Sequence, residues 1–300
     1  MQVSNDSIYR YLYCLFDNIK MPLFIAISGW VYSLHPIEKG KLSVFILKKL
    51  KRLLLPMIFV GTIYFILQYL TPGTNNKGAI SEIWKIYVYP YTLFWFLPAL
   101  FLTFTIISFL EISNLLNTLK KWTIITFIFW GVCFFQESHI ISESIPNLFA
   151  FKNALYIIPF FLVGVGLNRF KNDLGTQSMK NIYFIGLVVG VILQQINYFT
   201  PLEYYNKLHL DIFIGMISSA FLISIKINLP FFSWLAQYAY TIYLFHGFGT
   251  SAGRIIFRKL QMNDLSIFIS STVLAIVASI IVEKVLIKWK LTKILFLGQK

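Results

Sequence analysis

Residues 17–56 read DNIKMPLFIAISGWVYSLHPIEKGKLSVFILKKLKRLLLP, and this stretch decides how the rest of the chain is interpreted. Asp17 and Lys20 lead into an apolar run at 21–34, and a strongly basic loop separates it from a second apolar run at 53–70. Ionisable residues inside a membrane helix are costly and indicate function. A cationic loop between two membrane helices favours the cytoplasmic side, where it can also meet anionic ligands. We therefore predict a polar intramembrane site above a cytoplasmic anion-binding rim.

The composition is that of an integral membrane protein. Hydrophobic residues make up 57% of the 300 residues, aromatic residues 18% and charged residues only 13%, and the mean hydropathy is +0.70. Soluble domains carry about 45–50% apolar and about 25% charged residues, so this composition excludes a soluble globular domain. The net charge of +14 needs no nucleic-acid partner, because lysine and arginine gather in the loops of membrane proteins. We predict the lipid bilayer as a partner, and no nucleic acid.

Apolar segments of membrane-spanning length recur along the chain. A spanning helix needs about 20 mostly apolar residues, and polar or Pro/Gly-rich breaks separate the candidates. We predict an all-α, polytopic integral membrane helix bundle with about nine transmembrane helices, forming a single domain over residues 1–300. The predicted segments are 10–34, 53–70, 92–110, 122–136, 153–167, 182–199, 210–225, 231–253 and 265–287.

Lysine and arginine are distributed unevenly between alternate loops. Of the 26 such residues, 17 fall in the set of loops that includes 35–52 and the tail from Lys284, and the other set holds 9. The richer set is expected on the cytoplasmic side. This predicts an N-terminus outside the cell and a cytoplasmic C-terminus.

The first residues that could carry chemistry are Asp17 and Lys20. They are three residues apart, so they share a helix face and can pair. A helix that starts near Arg10 places Lys20 roughly 15 Å along its axis, near mid-membrane, and Pro22 frees a carbonyl one turn earlier. Two interpretations stay open: a functional intramembrane pair, or an interfacial ion pair with a snorkelling lysine.

A histidine lies deep in the segment YAYTIYLFHGFGTSAGR, at position 246. Arg254 marks the predicted outer end of that helix, eight residues further on or roughly 12 Å away, so His246 and Lys20 have comparable depths. Histidine can act as a base near neutral pH. The alternative is a histidine hydrogen-bonded inside the bundle.

The basic run at residues 48–52 has a functional and a topological interpretation. Lys48, Lys49, Lys51 and Arg52 offer the compact and forked donors that capture phosphate groups. The same run also serves as an orientation signal, as such runs usually do.

Two further residues are candidates for substrate binding. Ser28 precedes Gly29 in a string that also suits close packing of another helix. Trp95, in LFWFLPALF, is equally typical of an aromatic belt at the membrane interface. The sequence contains no metal-ligand spacing, nucleotide loop or nucleophile elbow, and we predict no metal.

Five strings, in order, resemble a known family. MPLFIAISGW followed by KKLKRLLLP resembles the start of the membrane-bound acyltransferase-3 family, the polysaccharide O-acetyltransferases. LFWFLPALF is similar to the WFL element of that family, and IIPFFLVGVGL to its PFFxxGxxL element. AQYAYTIYLFH resembles its IYLLH element, and the closing LFLG resembles its C-terminus. The resemblance covers nearly the whole chain.

The resemblance implies transfer of an acyl group, usually acetyl, from a cytoplasmic acyl-coenzyme A to a sugar hydroxyl. The acceptor implied is a polysaccharide or a lipid-linked sugar of the cell envelope, and the location is a bacterial plasma membrane. Arg52 and its neighbours match the basic element near the coenzyme, and His246 matches the histidine of the IYLLH element. A base then removes the hydroxyl proton while donors stabilise the oxyanion.

The sequence departs from the family pattern in two respects. The family typically begins with a helix that carries an arginine and, ten residues later, a histidine thought to be catalytic, and we find no counterpart of that helix. Lys20 stands where many members have the histidine before MPLF. A lysine supplies a cation but is a poor base unless burial lowers its pKa. We expect His246, Lys20 and Asp17 around the acceptor.

Two other functions are compatible with these features. A glycolipid or small-anion transporter or flippase would also carry polar groups at mid-depth and kinked helices. A truncated, non-catalytic remnant of the family would keep the fold without the activity. The acceptor sugar, the acyl group and the oligomeric state stay open.

Overall fold

The computed structural model describes residues 8–71, 78–137, 145–199, 207–226 and 229–299. Over these residues every regular element is a helix and none is a strand. The all-α fold class predicted from the sequence is confirmed.

Thirteen α-helices occur in the described part of the chain, numbered here in chain order. Three short 3₁₀ turns accompany them, at Ile80–Glu82, Thr92–Trp95 and Leu148–Ala150. The α-helices are α1 Ile8–Leu34, α2 Leu42–Leu70, α3 Lys85–Val88, α4 Phe96–Ile112, α5 Leu119–Glu137, α6 Phe151–Arg169, α7 Lys171–Leu174, α8 Gln177–Phe199, α9 Lys207–Ser224, α10 Pro230–Ala236, α11 Ala239–Lys259, α12 Asp264–Leu286 and α13 Lys290–Leu297.

Six segments of the described chain are long and apolar enough to cross a bilayer, so the protein is a multi-pass membrane protein. Each of the nine segments predicted from the sequence coincides with helical structure, but the number of nine spans stays a prediction. The six segments are Cys14–Leu34, Leu42–Leu70, Ile80–Ile112, Leu148–Arg169, Gln177–Ile196 and Asp264–Leu286.

Helix α2 begins eleven residues earlier than the sequence predicts. The basic run from Lys48 to Arg52 was expected in a loop, and the structure corrects this by placing it inside the helix. Leucine and lysine are good helix formers, and no Gly or Pro interrupts the stretch before Pro56. Positive charge was thus no guide to the backbone conformation, and the cytoplasmic side assigned to this run stays a prediction.

The predicted segment 231–253 is also divided. Helix α10 ends at Ala236, and a turn at Gln237 and Tyr238 precedes α11. Phe231 and Phe232 of α10 are exposed. This apolar short helix and the longer α11 are thus separate elements.

The described chain divides into two compact units. The described residues within 1–42, 105–146 and 152–227 form the first unit, and those within 43–104, 147–151 and 228–300 form the second. Each unit combines segments that are distant in sequence. The single domain predicted over 1–300 stays a prediction.

The core of the first unit is a close crossing of α1 and α6. A Cβ atom on Gly29 would lie 2.0 Å from the carbonyl oxygen of Phe161, and one on Gly164 would lie 1.8 Å from that of Ala26. Only glycine permits such backbone contact, as in other membrane helix pairs. The strings MPLFIAISGW and IIPFFLVGVGL thus meet in space.

The second unit contains a similar pairing of α11 and α12. A Cβ on Gly249 would lie 2.5 Å from Cα of Ala275, and one on Gly253 would lie 2.8 Å from Oγ of Ser271. The four-residue spacing puts each pair on one helix face. Small residues therefore bring these two backbones close together.

A proline in α6 leaves a carbonyl that another helix satisfies. Pro159 has no N–H to donate to Leu155, one turn earlier. Sγ of Cys133, in α5, donates to that oxygen at 3.5 Å. The kink-prone position is thereby stabilised within the first unit.

Candidate active site

In the first unit, the charged pair near the start of α1 is formed as the spacing predicts. Nζ of Lys20 lies 2.8 Å from Oδ1 of Asp17, and the side chains are 47% and 45% exposed. Because both side chains are this accessible in an otherwise apolar helix, the ion pair has room to contact a polar ligand. The catalytic roles of both residues stay predictions.

Asp211 of α9 adds a second carboxylate, which sequence reasoning missed. Nδ2 of Asn18 donates to Oδ1 of Asp211 at 2.5 Å and so joins α1 to α9. Tyr156 of α6 lies within electrostatic reach of both Asp211 and Asp17. The available signal was an aspartate at the head of the apolar stretch DIFIGMISS. This group of side chains, which we call the α1 polar cluster, comprises Asp17, Asn18, Lys20, Tyr156 and Asp211.

Helix α8 contributes a further polar contact to α1. Nε2 of Gln194 donates to the carbonyl of Cys14 at 2.8 Å. Within the described residues, its Oε1 atom is buried and makes no hydrogen bond. The side-chain oxygen of Gln194 is thus a hydrogen-bond acceptor next to the first turns of α1, the helix that carries Asp17.

The Ser28 side chain is engaged within its own helix. Its hydroxyl donates to the carbonyl of Phe24 at 3.0 Å, and the neighbouring Gly29 is the contact point of α1 with α6. These contacts favour the packing interpretation of the Ser-Gly pair. Substrate binding by Ser28 stays a prediction.

In the second unit, the basic residues of α2 fall on different faces. Lys48, Lys51 and Arg52 follow an i, i+3, i+4 spacing, so they share one face, and all three are exposed. We call this face the basic rim. Three cations grouped in this way suit a ligand with several phosphate oxygens.

Lys49 differs from the rim residues in its surroundings. Its ammonium lies 3.5 Å from the ring centroid of Phe104 and 5.2 Å from that of Phe45. Such contacts stabilise a cation through the negative face of the ring. The charge of Lys49 therefore already has partners within the protein.

Arg52 lies against an aromatic residue of α11. The guanidinium carbon of Arg52 is 5.3 Å from the ring centroid of Tyr240. Sequence reasoning had singled out Arg52 but not Tyr240. The contact joins KKLKRLLLP to AQYAYTIYLFH, two of the strings that carry the family resemblance.

The orientation of His246 is set by its own helix. Its Nδ1 lies 2.8 Å from the carbonyl oxygen of Tyr243 and 3.0 Å from that of Ile242. Carbonyl oxygens only accept hydrogen bonds, so Nδ1 carries the proton. In the neutral ring, Nε2 is then the acceptor and can receive a proton.

The helix around His246 is held tightly against the turn at Thr92–Trp95. The hydroxyl of Tyr243 donates to the carbonyl of Leu93. A Cβ on Gly247 would lie 2.4 Å from Cδ2 of Leu93, so that side chain would have to move to admit a larger residue. These contacts fix the helical turn that carries the histidine.

Trp95 ends that 3₁₀ turn and is partly buried. Its ring meets that of Phe96 edge-on, with centroids 5.9 Å apart. The turn starts at Thr92 with a φ of 39°, an uncommon value for a β-branched residue. The structure thus positions Trp95 by a strained turn, and its contact with substrate stays a prediction.

The units divide the predicted site residues between them. Asp17, Lys20 and Ser28 belong to the first unit, and His246, Trp95 and the basic rim belong to the second. Within the first unit Asp17 and Lys20 are brought together, and within the second Arg52 is brought to the helix that carries His246.

Comparison with known proteins identifies the family. A family model described as an acyltransferase domain, acyltransferase-3, matches residues 3–284. No curated protein and no solved structure matched the chain. Because the match spans nearly all of the sequence and includes every candidate site residue, this multi-pass membrane protein belongs to the acyltransferase-3 family.

Proposed function

We propose that the protein transfers an acyl group from acyl-coenzyme A to the hydroxyl of a sugar, and that the acyl group is acetyl. The sugar belongs to a cell-envelope polysaccharide or to its lipid-linked precursor. The enzyme would act in the bacterial plasma membrane with its C-terminus in the cytoplasm. Family membership supports acyl transfer to a hydroxyl. The observation that carries the proposal is the position of His246 Nδ1 beside two helix carbonyl oxygens. Because carbonyls only accept, this position supports a proton on Nδ1 and Nε2 as the proposed base.

His246 has the central role in the proposed reaction. Its Nε2 takes the proton of the sugar hydroxyl as the oxygen attacks the thioester carbonyl. The C–S bond then breaks, and the coenzyme leaves as a thiolate that recovers the proton from the imidazolium. The acyl group ends as an ester on the sugar and the coenzyme as a free thiol.

The basic rim is the proposed contact for the coenzyme phosphates. Lys48 and Lys51 supply compact donors and Arg52 a planar fork, a combination that suits phosphate oxygens. Lys49 belongs to the same set in this proposal but contributes least, since its ammonium already lies on the ring of Phe104.

The α1 polar cluster is the proposed contact for the acceptor sugar. Carboxylates accept hydrogen bonds from several hydroxyls, and the ammonium of Lys20 donates them. Its positive charge also suits the oxygen on which negative charge develops. Ser28 in the first unit and Trp95 in the second are further proposed contacts of the substrate.

The test measures labelled acetyl groups attached covalently to glycan, in membranes supplied with labelled acetyl-coenzyme A. His246→Ala should abolish the label at an unchanged protein level in the membrane. His35→Ala, which changes an exposed histidine after α1, is the matched control and should keep it. Undiminished labelling in His246→Ala would remove His246 from the mechanism. Movement of the glycolipid across the membrane without acylation would favour a transporter.

A further inference from the structure

Tyr240 touches Arg52 in two ways. Its ring lies under the guanidinium, with 5.3 Å between the ring centroid and the guanidinium carbon. Its hydroxyl donates to the backbone carbonyl of the same residue. One side chain of α11 therefore holds both the backbone and the charged end of an arginine in α2.

The hydroxyl contact follows from the sequence of α2. In a regular helix the carbonyl of Arg52 accepts from the N–H of residue 56, but that residue is Pro56 and has no N–H. A carbonyl left unpaired in an apolar environment is costly. The Tyr240 hydroxyl supplies the donor that Pro56 lacks.

The C-terminal segment also lies against the backbone of Arg52. A Cβ on Gly298 would lie 2.5 Å from Cα of Arg52 and 2.5 Å from the carbonyl oxygen of Lys51. Gly298 follows α13 with a φ of 61°. The backbone of Arg52 thus has Gly298 against it and Tyr240 bonded to it, and the Tyr240 ring supports the guanidinium.

We infer that Tyr240 is a positioning residue of the basic rim, which holds Arg52 so that its guanidinium presents its N–H groups to a phosphate of the ligand. A guanidinium stacked on a ring keeps its N–H edge available for hydrogen bonds. An unsupported arginine has to lose side-chain freedom when it binds, and the ring removes part of that cost in advance. This inference rests on the proposed function for the identity of the anion.

The experiment uses the purified full chain and adenosine 3′,5′-bisphosphate, the phosphorylated nucleoside part of the coenzyme, as the probe. Binding is measured by titration calorimetry, so it does not depend on turnover. Tyr240→Phe keeps the ring and loses the hydroxyl, whereas Tyr240→Leu loses both. Tyr238→Leu, two residues earlier in a turn, is the matched control.

Tyr240→Leu, which loses the ring and the hydroxyl, should weaken binding of the bisphosphate about tenfold. Tyr240→Phe, which loses the hydroxyl alone, should weaken it about two- to fivefold. Arg52→Ala should weaken binding at least as much, and Tyr240→Leu should add nothing further in the Arg52→Ala background. With acetyl-coenzyme A as substrate, Tyr240→Phe should raise KM and leave kcat within about twofold. If Tyr240 only stabilised the fold, its substitution would not raise KM while leaving kcat nearly unchanged.

The outcomes separate this inference from the proposed function. Unchanged affinity in both Tyr240 variants, or effects of Tyr240 and Arg52 that simply add, would overturn the positioning role while the rim remained. If the unmodified protein does not bind the bisphosphate, both the proposed contact of the coenzyme with the basic rim and the positioning role of Tyr240 are overturned. If it binds and the variants lose affinity, the inference holds even where no glycan is acetylated. Tyr240→Phe keeps the test decisive if Tyr240→Leu does not fold.

Discussion

Nη2 of Arg169 lies 2.9 Å from Oε2 of Glu111, and the two side chains are only 17% and 14% exposed. The Nη1 atom of the same arginine donates to the carbonyl of Leu116 at 2.8 Å. The arginine at the end of α6 therefore fixes both the end of α4 and the connection to α5 within the first unit. Neither Arg169 nor Glu111 was singled out from the sequence.

Removal of one partner should destabilise the protein strongly, because the other charge stays in poorly solvated surroundings. Arg169→Met should cost about 3 kcal/mol of unfolding free energy. The double change of Arg169→Met with Glu111→Leu should recover part of that loss, since no unpaired charge remains. Unfolding of the purified protein in detergent measures both.

An exposed ion pair in the same unit serves as the control. Lys41 and Glu38 approach to 2.6 Å, but their side chains are 67% and 71% exposed. Hydrogen bonding from Lys41 holds the pKa of the Glu38 carboxyl below its ordinary value. Solvent screens such a pair, so Lys41→Met should leave the unfolding midpoint nearly unchanged. Equal losses for Lys41→Met and Arg169→Met would contradict the special role of the buried pair.

Because the backbones of α1 and α6 are in contact, substitution of a glycine at that contact should destabilise the protein, whereas substitution of a glycine elsewhere should not. Gly164→Ala would place Cβ 1.8 Å from the carbonyl oxygen of Ala26, so one helix has to move. Gly131, in α5, is the matched control, because a methyl group added there would meet no other described part of the protein within 4 Å. We expect Gly164→Ala to lower the unfolding midpoint clearly, and Gly131→Ala to raise stability by up to about 1 kcal/mol, because alanine is the better helix former. Similar midpoints for both variants would exclude backbone contact at this crossing.

Sequence reasoning succeeded where the relevant partners are close along the chain. The Asp17–Lys20 pair follows from helical spacing alone, and the helical segments follow from apolar length. The contact of Asn18 with Asp211 joins residues 193 positions apart, and no local pattern specifies such a partner. For Arg52, Pro56 implies an unpaired carbonyl, but only the packing of α11 shows that Tyr240 supplies the donor.

Lys49 and Lys51 should differ in their effects, although they are neighbours in sequence. Lys51→Met removes a cation of the exposed basic rim and should raise KM for acetyl-coenzyme A several-fold, with little change in stability. Lys49→Met keeps an apolar stem but loses the contact with Phe104, worth about 0.5–1 kcal/mol at an exposed site and more when desolvated. It should lower the unfolding midpoint and change KM less than Lys51→Met does. Steady-state kinetics and unfolding of the same preparations separate the two effects, and a larger KM change for Lys49→Met would place Lys49 at the phosphates.

Asp211 should influence the acceptor and not the coenzyme. Asp211→Asn keeps the size of the side chain and an oxygen that can accept from Asn18, but it removes one of the two carboxylates of the α1 polar cluster. We expect KM for the acceptor glycan to rise or kcat to fall by about tenfold, the effect of roughly 1.4 kcal/mol, while KM for acetyl-coenzyme A stays constant. Asp173→Asn, at an exposed carboxylate of α7, is the control and should leave both values unchanged. If Asp211→Asn alters neither acceptor kinetics nor turnover, the carboxylate serves only to join α1 to α9 through Asn18.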